Sequence, residues 1–185
     1  MKNIFIVISI CSFLASCSQS SKEKSELTIE DYKAKIVAYE DSIVSFQKQQ
    51  KNAPIYLKDS LIGSLLSFYK LFPKDKSAAK CLDKIQMFYS GEGKIQWSIA
   101  YADTLIQKFP KDENRALILE SQAANYDMFV NPRDTNKVKQ YFSMLLNKNP
   151  SMDKEKRKGI ELRLQNLGMT FEEFIDYQAK NLTAK

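Results

Sequence analysis

The tetrapeptide FPKD occurs at residues 72–75 and again at 109–112, 37 residues apart. Around it the match widens. IGSLLSFYKLFPKD (62–75) aligns with IAYADTLIQKFPKD (99–112), so that Ile62 meets Ile99, Gly63 meets Ala100, and Phe68 and Tyr69 meet Leu105 and Ile106. A looser third copy, QYFSMLLNKNPSMD (140–153), keeps Leu145 and Leu146 in the same apolar slots and places Pro150 40 residues after Pro110. Each copy is an amphipathic stretch ended at proline, because the residue before proline is pushed out of helical backbone. Four shared residues would carry little, but apolar register shared over fourteen marks an internal repeat. FPKD therefore predicts the end of a unit. Phe72 and Phe109 are expected to close hairpin cores and to be mostly buried, proline stops the helix, and Asp75 or Asp112 helps cap the next one.

The rest of the chain fits the same plan. Residues 28–51 carry Ile29, Tyr32, Ile36, Tyr39, Ile43 and Phe46 on one helical stripe, with Thr28 as N-cap and Asp31 three residues on. That stripe lasts about three heptads, so packing on the next helix is expected in preference to a coiled-coil dimer arm. Partner helices are predicted over residues 77–89, 112–129 and 153–166, with breaks at 90–93 and 131–135. The last helix opens at MTFEEF (169–174), where Thr170 and Glu173 form a capping box. The sum is about eight helices in four hairpins, with no strand: an all-α chain. Trp97 and the tyrosines at helical spacing are expected in the core or between repeats, and Cys81, among Ala78, Ala79 and Leu82, as a small core residue.

The N-terminus reads differently. Lys2 and the ten-residue, largely apolar stretch 4–13 form the n- and h-regions of a secretory signal, too short for the roughly 20 residues that span a bilayer. Leu14-Ala15-Ser16-Cys17 resembles the lipobox of bacterial lipoproteins, which implies cleavage after residue 16 and lipid on Cys17. Residues 17–27 then read as a solvated tether. With Cys11 removed and Cys17 lipidated, Cys81 has no disulfide partner. The hairpins at a 37- to 40-residue spacing, each closed before proline, resemble tetratricopeptide repeats over about residues 58–153. The usual Trp-Leu-Gly-Tyr pattern is absent from SAAKCLDKIQMFY, and the period exceeds the family's 34. The resemblance implies an α-α superhelix over 28–185 and a concave surface, lined by the first helix of each repeat, that holds protein segments.

Composition removes several chemistries. There is no histidine, which excludes Ser-His-Asp and Cys-His catalysis and the commonest zinc ligand. No phosphate-binding glycine loop is present, and no cofactor or metal is implied. Acid pairs such as Glu30-Asp31 and Glu172-Glu173 sit in first helical turns, where they complement the helix dipole. Without Lys2 the chain keeps 27 basic and 22 acidic residues, a mild excess suited to an anionic envelope surface and not to nucleic acid. The expected function is a lipid-anchored scaffold of the bacterial cell envelope, facing the periplasm from the outer membrane, that binds another envelope protein or extended peptide. Lys80 and Lys84, with the polar stripe Asn114, Ser121 and Asn125, are the expected partner-binding residues, suited to an acidic segment. The alternative is an envelope enzyme or small-ligand-binding protein with a site of acids and tyrosines.

Overall fold

The computed structural model describes residues 27–183. The expected signal peptide, Cys17 and the tether up to residue 26 lie outside the described residues. Eight helices follow: α1 Ile29–Lys48, α2 Ile55–Leu71, α3 Ala78–Gly91, α4 Ile95–Lys108, α5 Arg115–Met128, α6 Thr135–Lys148, α7 Lys154–Gln165 and α8 Phe171–Thr183. No strand occurs among the described residues. The closest pairs are the hairpins α1–α2, α3–α4 and α5–α6, joined by α2 on α3, α4 on α5 and α6 on α7. Helices α7 and α8 approach less closely.

The repeat is a backbone device used three times. Phe72, Phe109 and Asn149 end α2, α4 and α6 with φ/ψ of −127°/54°, −126°/67° and −127°/70°. Each precedes proline, which forbids another helical residue. The carbonyl oxygens of the three residues then accept from Asp75, Asp112 and Met152 N–H at 3.0–3.1 Å, closing a turn with proline in its second position. Four residues before each end stands a fully enclosed side chain: Phe68, Leu105 and Leu145. The third copy substitutes a side chain for a backbone donor, since Asn149 Nδ2 donates to Leu145 O at 2.8 Å where Phe72 and Phe109 use their own N–H.

Phe72 and Phe109 are mostly buried, as expected, and stop short of full enclosure because each sits just past the last helical turn at the end of its hairpin. Phe72 rests on Phe68 and Tyr32 at 5.4 and 5.8 Å between ring centroids. A second expectation about FPKD is corrected: Asp75 and Asp112 do not cap a helix, and Ser77 and Asn114 occupy the N-cap positions. The two carboxylates accept from Ser77 N–H (2.7 Å) and Asn114 N–H (2.9 Å), fixing the turn that leads into α3 and α5.

Two apolar clusters lie along the stack. The first joins Ile36, Ile62, Leu65, Phe68, Cys81 and Ile85; the second includes Leu82, Leu105, Leu119, Ala123, Leu145 and Ile160. Tyr69 and Tyr101 pack against both. The α1 stripe packs on α2, and both expected capping boxes form, Thr28 with Asp31 and Thr170 with Glu173. Cys81 is buried among apolar side chains, and that burial pushes its thiol up to about 11. Trp97, expected in the core or between repeats, is 59% exposed in the first turn of α4, with its ring 6.0 Å from that of Tyr89 on α3.

Candidate functional site

Because the chain runs in hairpins, α1, α3 and α5 occupy equivalent places in successive units and leave grooves between them. One cleft of about 460 Å³ lies between α1, α2 and α3, lined by Ile43, Val44, Leu61, Met87 and Phe88. A second of the same size lies between α3 and α5, lined by Asp83, Gln86, Met87, Asn114, Leu117 and Ser121. Met87 borders both, so the two form one path across three helices. Along it Val44, Met87 and Leu117 are 43%, 62% and 64% exposed. Single exposed apolar side chains are ordinary, whereas these three border one pair of adjoining clefts.

Successive helices on this face are tied by polar contacts. Lys84 pairs with Glu40 of α1; Lys80 reaches Glu113 at 3.9 Å; Asn114 Nδ2 donates to Asp83 at 2.9 Å; Lys156 of α7 pairs with Glu120 of α5 at 2.6 Å. Exposed pairs of this kind each contribute at most about 1 kcal/mol, so they set spacing more than stability.

The five expected partner-binding residues are brought together only in part. Asn114 and Ser121 share the α3/α5 cleft. Lys84, on the α1 side of α3, lines the α1/α2/α3 cleft with Met87 and shares a smaller one with Lys80, which also borders the prolyl-turn end beside Lys76, Lys108 and Lys111. Asn125 is buried, and its Nδ2 donates to Gln122 Oε1 at 3.3 Å. Its place in the inward row Ile118–Gln122–Asn125, at spacings of four and three, takes it off the exposed Asn114–Leu117–Ser121 row.

Two buried polar clusters went unseen in the sequence. Asp103 of α4 accepts from Gln122 Nε2 (2.5 Å), Tyr126 Oη (3.2 Å) and Tyr141 Oη (2.5 Å), knotting α4 to α5 and α6. The two tyrosine rings stack at 5.7 Å, and the Lys137 ammonium lies 6.0 and 5.6 Å from their centroids. Burial, then the Asp103 carboxylate, pushes the Tyr126 phenol up to about 12 and raises Tyr141 as well. The available signal was an acid placed inside the apolar run Ile99, Ala102, Leu105, Ile106. In the second cluster Asp127 of α5 is held by Arg163 of α7 through two 2.7 Å hydrogen bonds, with Arg133 at 3.4 Å. Both arginines also donate to backbone carbonyls of the α7–α8 connection, Met169 among them.

No family model, curated protein or solved structure matches this chain. The site is therefore read from its own geometry. No helix among the described residues is long and apolar enough to cross a membrane, and no group of three or more His, Cys, Asp or Glu among them could hold a metal ion. The acids and tyrosines that do converge, at Asp103, direct their polar atoms at one another.

Proposed function

We propose that this chain is a lipid-anchored helical-repeat scaffold of the bacterial cell envelope, similar in plan to tetratricopeptide lipoproteins, on the periplasmic side of the outer membrane. Its α1/α3/α5 groove takes a segment of another envelope protein. The observation that carries this reading is the set of exposed apolar side chains Val44, Met87 and Leu117 bordering two clefts that share Met87. The flexible thioether of Met87 at the junction suits a surface that must fit a partner's side chains. An amphipathic segment, with apolar residues set into the groove, suits this path better than an acidic one, since Lys80 and Lys84 already face Glu113 and Glu40. The Asp103 knot favours the scaffold over an acid/tyrosine enzyme, because its hydroxyls and carboxylate oxygens are engaged within the fold.

The test is a photo-crosslinking amino acid placed in turn at Met87, Leu117 and the exposed off-groove Leu71, in the full chain in its own envelope. The same discrete adduct from Met87 and Leu117, absent from Leu71 and lost in Met87→Glu with the probe at Leu117, supports the groove. Equal adducts from all three positions count against it.

A further inference from the structure

The prolyl turns share one edge of the molecule with the start of α1. The Tyr32 ring lies 5.8 Å from Phe72, and Lys33 Nζ lies 3.4 Å from Asp75 in the first turn. Arg115 Nη1 donates to Ile106 O across the second turn at 2.7 Å, and Arg157 Nη2 to Asn149 O at the third at 2.8 Å. The polypeptide preceding α1 therefore joins the fold beside the first turn.

That edge also carries the positive charge. Residues 27–35, 70–80, 108–115 and 148–158 hold fourteen Lys and Arg against seven Asp and Glu. The segments at the opposite ends of the helices, 44–58, 88–97, 126–137 and 163–173, hold seven against five. Helix dipoles account for only part of the excess. Lys70, Lys108 and Lys148 lie in last turns, which favour cations. The first turns of α3 and α5 favour anions, yet neither contains an acid, and Lys80 and Arg115 stand there instead. Lys80 there faces Glu113 at 3.9 Å and Arg115 bonds Ile106 O, so the charge left over is carried by the lysines of the turns themselves. Lys70, Lys74, Lys76, Lys108 and Lys111 are exposed and make no ion pair among the described residues. Lys76, Lys80, Lys108 and Lys111 border one shallow cleft of about 540 Å³ between the first two turns.

We propose that this prolyl-turn edge is the face the protein lays on an anionic phospholipid surface. The inference rests on the lipid anchor at Cys17. Nine residues lie between Cys17 and Leu27, ten residue-to-residue steps that reach at most about 35 Å extended and about 17 Å as a flexible chain. Attraction between surface charges fades beyond about 8 Å at physiological salt, so the tether does not itself hold the edge in contact; it confines the edge near the bilayer and raises the effective concentration at which the lysines meet headgroups. Lysine, a compact point charge, suits scattered headgroup phosphates. Helix axes then stand away from the bilayer, and the α1/α3/α5 groove opens sideways to other envelope proteins.

The experiment uses the full chain purified from membranes and reconstituted on phosphatidylcholine vesicles with or without phosphatidylglycerol, with amine-reactive labelling of each lysine read by mass spectrometry. On the anionic vesicles Lys74, Lys76, Lys108 and Lys111 should label about tenfold more slowly, high salt should restore them, and Lys48 and Lys94 should not change. In Lys74→Glu/Lys111→Glu the protection of Lys76 and Lys108 should be lost. Equal labelling on the two vesicles overturns the proposal. So does protection that requires another envelope protein in place of anionic lipid, which would assign the edge to a protein partner. The anchor is read separately, by fatty-acid labelling of wild type and Cys17→Ala. Equal incorporation removes the anchor and the tether argument together, whereas a labelled Cys17 with unprotected lysines removes the edge alone.

Discussion

Arg163 donates one 2.7 Å hydrogen bond to each carboxylate oxygen of Asp127, across 36 residues of sequence, with both side chains buried. The guanidinium also lies 4.9 Å from the Phe174 ring centroid and donates to Asn166 O and Met169 O. One side chain thus joins α5, α7 and the start of α8. A buried pair adds little over apolar residues of the same shape, but removing one partner strands a charge. Asp127→Ala should cost about 3–5 kcal/mol, and the paired change Asp127→Leu/Arg163→Met distinctly less. Urea unfolding of the three chains checks this; a double variant as unstable as the single would show that the pair is worth more than its burial.

The proline boundaries predict a graded series. Phe68 is fully enclosed, and Phe68→Ala should cost about 3–5 kcal/mol. Phe72 and Phe109 are mostly buried but not fully enclosed, and their alanine variants should cost less, about 2–3 kcal/mol. Denaturant midpoints that rank Phe72 level with Phe68 would contradict the placement of Phe72 beyond the last turn of α2.

The Asp103 knot predicts an alkaline weakness. The Tyr126 and Tyr141 phenols are raised above their ordinary value of 10 in the folded chain, by burial first and the Asp103 carboxylate second. A group whose folded pKa is raised contributes stability that is complete below its unfolded pKa and lost as pH climbs toward the folded one. For Tyr126 that window runs from 10 to about 12, and for Tyr141 it starts at 10. Tyr141→Phe should lose about 1.5–3 kcal/mol near neutral pH, where a hydrogen bond to a carboxylate disappears, and then decline less steeply than wild type above pH 10. Urea midpoints of the two chains across that range supply the comparison. Parallel curves would mean that the phenols do not report on folding.

Cys81 should be silent toward thiol reagents in the native chain, since its thiol is buried and pushed up to about 11. In denaturant it should react at once. A native reaction rate far above the rate of opening measured by amide exchange at α3 would place Cys81 nearer the surface than it is here.

Much of this fold was legible because helical repeats write themselves locally. Proline fixes where a helix stops, Thr28 with Asp31 and Thr170 with Glu173 fix where two begin, and the 3-4 spacing of Ile29 to Phe46 fixes which face of α1 is covered. The equivalence of Phe68, Leu105 and Leu145 is written in the sequence alone, each four residues before the residue that precedes proline. All of these signals act within one or two helical turns.

The tertiary structure decided the rest, because it depends on which helices meet. Asn114, Ser121 and Asn125 look alike on an isolated helix, yet Asn125 is turned inward to Gln122 and only the other two line a cleft. Lys80 and Lys84 are one turn apart but serve different neighbours, Glu113 and Glu40. Arg163 belongs by composition on the surface and lies inside, because Asp127, 36 residues away, supplies the opposite charge that makes its burial tolerable. Met87 carries no mark in the sequence that sets it apart, and it becomes the junction of two grooves only when α1, α3 and α5 are laid side by side. Local periodicity specifies each helix and its inner face; pairings across tens of residues have no local signal, and they are what shape the groove and place the charges.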